Sequence, residues 1–133
     1  MPSDLDRLGA GMYVLMTTFR RNGTPVSTPV WVARDGEELF IWSAREAGKI
    51  KRIRNNSAVE LASCDFGGTP HGPTVDGTAR ILDPQGTDRV RHLIRSKYGL
   101  IGWASLLGST LRRGKKGSVG VAISLRDDPT ELR

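Results

Sequence analysis

The sequence predicts a mainly β protein of the α+β class, in which an antiparallel sheet closes into a small barrel. Apolar runs of strand length recur along the 133 residues, and 16 glycines supply turns between them. The first strands follow one another through tight hairpins, which implies antiparallel pairing. Because we find no internal repeat or linker, and a chain of this length can bury its own core, residues 1–133 are expected to form one domain.

Three strands separated by two tight turns open the predicted sheet. Asn22-Gly23 and Asp35-Gly36 are typical of hairpin turns, because both residues of each pair accept a positive φ. We therefore expect a three-stranded meander. Its strands are Met12–Phe19, Pro25–Ala33 and Glu38–Trp42.

Three more strands are expected after residue 57, which makes about six in all. Gly77 lies inside one of them and predicts a bulge, or a bend of the kind that curls a sheet. The later strands are expected at Ala58–Phe66, Thr74–Leu82 and Ser118–Leu125.

A few short helices are expected around the sheet. Ser3 is a suitable N-cap for a helix that reaches Leu8. Apolar residues at helical spacing predict an amphipathic helix over Thr87–Tyr98, ended by Gly99. The segment Gly102–Leu111 is compatible with a helix, although its glycines weaken that interpretation.

Pro29 is an irregularity inside the second predicted strand. Proline has no N–H to donate to a neighbouring strand, so it is confined to edges, strand starts and bulges. One interpretation is a plain edge strand. The other is a place where the unpaired backbone meets a ligand. The sequence favours neither.

The most informative stretch follows the third predicted strand, where lysine and arginine fill four of the six positions 49–54. Ser43 and Glu46 match a capping box, which predicts a helix start. An anion there would meet unpaired backbone N–H groups and the positive end of the helix dipole, with Lys49 within reach. The alternative is a solvated amphipathic helix whose cations face water.

The net charge of +6 favours an anionic partner, such as a nucleotide-like cofactor, nucleic acid or an acidic membrane surface. The aromatic pattern argues against nucleic acid as that partner. Proteins that bind single strands display aromatic residues on an exposed strand face, whereas Phe40 and Trp42 alternate with Leu39 and Ile41 in a run that is apolar on both faces.

Cysteine and histidine are scarce, which limits several kinds of chemistry. Cys64 is the single cysteine, so no intrachain disulfide is expected and a cytoplasmic location is favoured. The polar N-terminus and the absence of a long apolar run argue against export or membrane insertion. His71 and His92 lack a convincing nucleophile or metal-ligand partner, so histidine catalysis and a metal site are not expected.

Four ordered motifs resemble those of the pyridoxamine 5′-phosphate oxidase-like split β-barrel flavoproteins, and more narrowly the deazaflavin (coenzyme F420)-dependent oxidoreductases. The resemblance extends from about Leu8 to Leu125. The motifs are Thr24–Trp31, Leu39–Ser43, Gly48–Asn56 and Asp76–Arg80.

The resemblance implies an antiparallel split β-barrel of the FMN-binding type and a homodimer with cofactor in grooves between the barrels. One segment of the family runs beside the flavin or deazaflavin ring, often through main-chain atoms, and a strand-to-helix corner binds phosphate. The positions that match the ring segment are Ser27, Thr28, Pro29, Val30 and Trp31. Those that match the phosphate corner are Trp42, Ser43 and Lys49, with Arg52 adding positive charge.

Two departures from the family pattern narrow what the resemblance implies. The Arg-x-His substrate motif of the pyridoxamine phosphate oxidases is absent near the C-terminus, so that reaction is not expected. Those enzymes also place an arginine just before the lysine, where this chain has Gly48, which disfavours FMN. Coenzyme F420 carries a phosphodiester and an acidic tail, which suit a basic protein. The basic segment Arg112–Lys116 is either a site for that tail or a solvated turn.

The resemblance therefore implies an oxidoreductase that transfers a hydride between reduced F420 and a small conjugated organic substrate. The hydride chemistry belongs to the cofactor, so no side chain need act as acid or base. FMN in the same site is the alternative. A non-catalytic protein that binds a flavin or a tetrapyrrole is a third possibility.

Overall fold

Seven strands and three helices make up the part of the chain that the structure describes. The computed structural model describes the backbone of residues 3–113 and 117–125, and the side chains of residues 3–99 and 117–125. The helices are α1 (Asp4–Ala10), α2 (Gly48–Asn55) and α3 (Pro84–Arg113). The strands are β1 (Tyr13–Phe19), β2 (Pro25–Trp31), β3 (Ala33–Asp35), β4 (Glu38–Ala44), β5 (Ala58–Cys64), β6 (Val75–Ile81) and β7 (Ser118–Leu125).

The strands form one antiparallel sheet in the order β2-β1-β5-β6-β7-β4-β3. Its two edge strands, β2 and β3, are separated in sequence by Val32 alone. A sheet whose edges are joined by one residue must curl until those edges meet, which gives an incompletely closed barrel. The mainly β, antiparallel split-barrel prediction is confirmed, with seven strands because Ala33–Asp35 forms a strand of its own.

The expected three-stranded meander is wrong. β1 and β2 form the predicted hairpin, with Gly23 at a φ of 88°. The strand after Gly36 instead pairs with β3 and β7. The chain changes from one edge of the sheet to the other at Val32, whose side chain is fully buried. Because the chain passes between the two edges at an apolar residue, the sequence pattern around Val32 looks like that of one continuous strand.

Two neighbouring residues of α3 hold the crossing at Val32. The Val32 N–H donates to the Tyr98 hydroxyl at 3.0 Å, and Lys97 Nζ donates to the Val32 carbonyl at 2.6 Å. Lys97 also donates to the carbonyls of Gly9 and Gly11. Side chains therefore replace the ladder hydrogen bonds that Val32 lacks. Burial lowers the pKa of Lys97 and raises that of Tyr98.

Alternate residues of the strands point into the barrel and form its core. Leu8 of α1 joins this core, and so do Ile50 and Ile53 of α2. The Ser3 side chain and Asp6 form a capping box on α1, as the sequence predicts for Ser3. The largest fully buried side chains of this core are those of Leu8, Met16, Leu39, Ile41, Ile50, Leu61 and Ile123.

A second apolar cluster lies outside the barrel, beneath α3. Phe40 of β4 and Ala122 of β7 pack there against Val90 and Ile94. Gly120 allows the close approach, because a Cβ at that position would lie 2.7 Å from Val90 Cγ2 and 3.2 Å from the Thr87 backbone. The two-sided apolar character of β4 thus reflects burial on both faces.

Two local predictions for glycines have different outcomes. Gly99 interrupts α3 with a φ of 62°, so the predicted end of the first helical segment is confirmed, and the backbone is helical again through Arg113. The pairing of β6 runs through Gly77 in unbroken register, which excludes the bulge, one of the two alternatives predicted for this residue. A Cβ at Gly77 would lie 3.1 Å from Ile123 Cγ2, which indicates close packing inside the barrel.

Candidate cofactor site

The basic segment forms α2, but the helix begins later than predicted. Ser43 lies within β4, and its hydroxyl donates to the Ala44 carbonyl at 3.0 Å. The N-cap is Ala47, which provides no side-chain hydrogen bond, so the predicted capping box of Ser43 and Glu46 is wrong. β4 continues to Ala44 because it pairs with β7. Strand pairing is long-range and therefore overrode the local capping signal.

The guanidinium group of Arg52 reaches back along α2 to the first turn of the helix. Its Nε donates to the hydroxyl of Thr18 at 2.6 Å, and Thr18 is only 1% exposed. Its Nη1 lies 2.8 Å from the position that a Cβ on Gly48 would occupy. Side chains of a helix lean towards its N-terminus, which explains how Arg52 reaches Gly48.

Lys49 is the second residue of α2, and its side chain is partly buried. It lies three positions before Arg52, so the two residues are neighbours on the helix surface. The first turn of α2 contains no acidic residue. The start of α2 therefore brings together two of the predicted cofactor-binding residues and a helix N-terminus, which is the combination that binds anions in proteins.

Trp42 and Ser43 do not lie together, although they are neighbours in the sequence. Ser43 is buried, at 4% exposure, on the face of β4 that carries Leu39 and Ile41 into the barrel. Trp42 lies on the opposite face with the α3 cluster, and the Arg91 guanidinium stacks 5.2 Å above its ring. The indole Nε1 of Trp42 is buried and has no acceptor among the described residues.

The predicted ring segment is an edge strand, as one interpretation of Pro29 requires. β2 pairs with β1 alone, so one side of its backbone is unpaired within the described sheet. Alternation divides the five predicted residues between two faces. Val30 is buried in the barrel core, and Thr28 shares its face, while Ser27, Pro29 and Trp31 face outwards.

The outward residues of β2 meet those of β1 in register. The hydroxyls of Ser27 and Thr17 are 2.7 Å apart, and Pro29 is opposite Leu15. Trp31 stacks on Tyr98 of α3, with ring centroids 4.3 Å apart and planes 8° from parallel. This surface is therefore polar near the β1–β2 turn and aromatic at its other end.

Sequence reasoning missed two features beside this surface. Phe66 is 79% exposed and packs edge-on against Tyr13, with centroids 5.8 Å apart, and Met12 is 57% exposed. Thr18 ends the inward row of β1 that contains Val14 and Met16. A hydroxyl at the end of an apolar row is the signal that could have identified Thr18.

The remaining titratable groups give no acid–base constellation in the described parts of the chain. His71 Nε2 lies 3.7 Å from Asp65 Oδ2 on the surface, and His92 is exposed. Cys64 is buried, and burial, together with the neighbouring Asp65, raises the pKa of its thiol. No group of three or more metal-ligating side chains occurs among the residues described.

The chain belongs to the protein family described as pyridoxamine 5′-phosphate oxidase. The family model matches residues 8–121, which contain all the strands except the end of β7. The broader resemblance, to the pyridoxamine 5′-phosphate oxidase-like proteins, is thus confirmed.

Solved structures share the fold at low sequence identity. A conserved hypothetical protein from Mycobacterium tuberculosis is 20% identical, with a TM-score of 0.71 over 96% of this chain and 82% of that one. An F420 reductase is 20% identical, with a TM-score of 0.57 over 96% and 97% of the two chains. The heme storage protein HutZ from Vibrio cholerae is 12% identical, with a TM-score of 0.62 over 90% and 84%.

Curated proteins gave no significant match to this sequence. Within the described residues, none of the helices has the length and apolar character needed to cross a membrane.

Proposed function

We propose that this protein is an oxidoreductase that uses coenzyme F420 to transfer a hydride to or from a small conjugated organic substrate. The observation that carries the proposal is the pairing of a cationic helix start at Lys49 and Arg52 with a partly exposed edge strand, β2, in a member of this family. The structural similarity to an F420 reductase supports the fold on which the proposal depends.

The phosphodiester of the cofactor is proposed to bind at the start of α2. Lys49 and Arg52 supply positive charge there, and the first turn has no acidic residue to compete with an anion. Ser43 is assigned to the same corner, although its hydroxyl already donates to the Ala44 carbonyl. Trp42 lies on the opposite face of β4 from Ser43, so it would position the strand and would not contact the phosphate.

The planar ring is proposed to lie along the outward face of β2. Ser27, Pro29 and Trp31 would contact it through side chains, while Thr28 and Val30 would contribute main-chain atoms. Pro29 removes one N–H from this edge and so disfavours pairing with another strand. The edge consequently stays available for a ligand.

The reduced ring supplies the hydride when the cofactor is bound. The chain binds and orients the ring and keeps water away from its apolar surroundings. Leu15, Tyr13 and Trp31 provide that apolar surface, and Gly68 lies over it, because a Cβ there would be 3.7 Å from Leu15 Cδ1 and from Pro29 Cδ. We therefore expect no side chain of this protein to act as a general acid or base.

A homodimer is part of the proposal. Phe66 and Met12 are largely exposed at one end of the outward face of β1 and β2, and Tyr13 and Leu15 are partly exposed beside them. Apolar surface of this kind is usually covered by a partner. A second copy would bury it and complete the groove around the ring, which sedimentation velocity would detect as a mass near twice 14.5 kDa.

Direct titration tests the choice of cofactor. Purified protein is titrated with coenzyme F420 and separately with FMN, and ligand fluorescence is recorded. We expect saturable binding of F420 that is tighter than that of FMN. Tight FMN binding without F420 binding would instead establish FMN as the cofactor and reject the proposal.

Replacing Lys49 tests the position of the phosphate. Lys49→Ala should weaken F420 binding by about 1–3 kcal/mol, the range for one charge-assisted hydrogen bond. Lys51→Ala is the matched control, because Lys51 lies on the same helix and is exposed. Equal losses in the two variants would indicate a general field effect and not a contact.

A non-catalytic tetrapyrrole-binding role is the second candidate, because the heme storage protein HutZ shares the fold. A heme titration followed by absorbance distinguishes the two functions. A sharp Soret band at one equivalent of heme per chain would favour the tetrapyrrole-binding role.

The proposed activity further implies a cytoplasmic protein.

A further inference from the structure

The interaction between Gly48 and Arg52 suggests how the start of α2 recognises a ligand. A Cβ at position 48 would lie 2.8 Å from Nη1 of Arg52 and 3.6 Å from its Cζ. The guanidinium group therefore fills the space that the absent side chain of Gly48 leaves open. Gly48 has ordinary helical geometry, without a positive φ. The backbone conformation does not require glycine here, whereas the position of Arg52 does.

Thr18 fixes the orientation of the same guanidinium group. Its hydroxyl accepts from Nε of Arg52 at 2.6 Å, and it is almost fully buried at the end of the barrel core. The planar guanidinium has five N–H donors in a rigid fork. With Nε held by Thr18, the donors left to meet a ligand are those of Nη1 and Nη2.

The position of the fork is electrostatically unfavourable without an anion. A helix N-terminus carries about half a positive charge, so a cation placed over the first turn of α2 is repelled. Neither an acidic side chain in that turn nor a side-chain cap from Ala47 offsets this repulsion. A phosphate group would accept from the fork and from the helix start together.

We propose that Thr18 and Gly48 are positioning residues that set Arg52 as a two-pronged donor to the phosphate group of the cofactor. The ligand class is a phosphate monoester or diester attached to a planar ring. This inference rests on the proposed function, because it assigns the phosphate to that site. It assigns a positioning role to Thr18 and Gly48, which do not themselves contact the ligand.

Ligand pairs that differ only in the phosphate isolate the effect of Thr18. Affinities of wild type, Thr18→Val and Thr18→Ser are measured for F420 and for the deazaflavin alcohol that lacks the phosphodiester. Thr18→Val should weaken F420 binding about 10-fold to 100-fold, the equivalent of losing a hydrogen bond to a charged group. The alcohol should bind all three proteins equally, and Thr18→Ser should restore F420 binding. Equal losses for both ligands would mean that Thr18 is merely structural.

A double-mutant cycle tests whether Gly48 acts through Arg52. Gly48→Ala introduces a methyl group whose three nearest neighbours are all atoms of the Arg52 guanidinium, at the end of a long side chain, so the fold is expected to tolerate it. It should weaken F420 binding as much as Arg52→Ala does. In the Arg52→Ala background, Gly48→Ala should have no further effect. Additive losses would overturn the proposed route through Arg52.

Inorganic pyrophosphate separates failure of this inference from failure of the proposed function. Pyrophosphate should raise the melting temperature of the wild type and of Thr18→Ser, but not that of Thr18→Val or Arg52→Ala. If this pattern appears and neither F420 nor FMN binds, the anion site stands and the proposed cofactor falls. If F420 binds with phosphate-dependent affinity that no variant alters, the cofactor stands and the positioning role falls.

Discussion

The two parts of the outer barrel surface differ in what covers them. On β7, β4 and β3, α3 buries Phe40 and Ala122 beneath Val90 and Ile94. On β2, β1 and β5, partly exposed residues such as Leu15 and Pro29 face outwards, and Phe66 is mostly exposed. One sheet thus has a part that is packed beneath α3 and a part that retains partly exposed apolar surface.

If the open part binds the ligand as proposed, one continuous sheet separates the residues that stabilise the fold from those that recognise the ligand. The covered part contains close contacts that tolerate little change, such as that between Gly120 and Val90. The open part has an edge strand, and its outward residues run from the exposed Ser27 to Trp31, which stacks on Tyr98 of α3. Substitutions should therefore affect unfolding on the first part and binding on the second.

The largest effect is expected from Gly120→Ala beneath α3. Its methyl group would clash with Val90 and with the Thr87 backbone, which cannot move without shifting the helix. We expect a loss of about 2–3 kcal/mol in the free energy of unfolding, measured in urea. Gly72→Ala is the control, because its nearest neighbour is a side-chain atom at 3.9 Å. Similar losses in both variants would contradict a packing origin.

Tyr98→Phe tests the junction between the two parts. It removes the hydroxyl that accepts from the Val32 N–H and lies 2.6 Å from the Met12 carbonyl. Leaving the buried N–H unpaired should cost about 1–3 kcal/mol of unfolding free energy. Tyr13→Phe, which removes a hydroxyl from the open part, should change it by less than about 0.5 kcal/mol. The reverse order would show that the crossing at Val32 is not held by Tyr98.

Glu38→Gln gives a smaller effect that depends on pH. The hydrogen bond from Arg80 holds the pKa of Glu38 below its usual value of 4.5, and Ser124 adds a second. Its contribution is therefore present above pH 4.5 and is lost as the pH falls through the lowered pKa. At neutral pH we expect a loss of about 0.5 kcal/mol, because the ion pair is partly exposed. Urea unfolding across this range should show the two proteins converging at low pH.

Phe66→Ser is expected to have the smallest effect on stability and a clear effect on assembly. Phe66 is mostly exposed, so the free energy of unfolding at low protein concentration should change by less than about 0.5 kcal/mol. Dimer dissociation, followed by sedimentation at decreasing concentration, should begin at higher concentration than in the wild type. Unchanged dissociation would remove Phe66 from the proposed interface.

The predicted strands agree closely with the observed ones where local signals decide. The turns at Gly23 and Gly36 and the break at Gly99 lie where expected, because positive φ is a property of the residue itself. The predicted capping box at Ser43 was wrong because a long-range contact decided the structure there. Residues far along the chain, in β7, extended β4 past Ser43. Local propensity yields to such pairing whenever the two conflict.

The candidate site was likewise predictable from the sequence only in part. Sequence motifs identified Lys49, Arg52 and the segment of β2 through the family resemblance. They could not show that Thr18, 34 positions before Arg52, would bind its guanidinium group. Nor could they show that Gly48 leaves the space which that group fills. Contacts of this range depend on how the barrel end closes over α2.

The sequence by itself determined the class of this protein: an antiparallel, mainly β chain with a cationic helix after its Leu39–Ser43 motif. Apolar alternation and turn residues act over a few positions, so one sequence suffices to identify them. Only the tertiary structure decided which edge each strand occupies and which half of the surface stays open. The crossing at Val32 sets both, and Lys97 and Tyr98 stabilise it from the other end of the chain. Burial of its backbone polar groups makes those distant partners necessary.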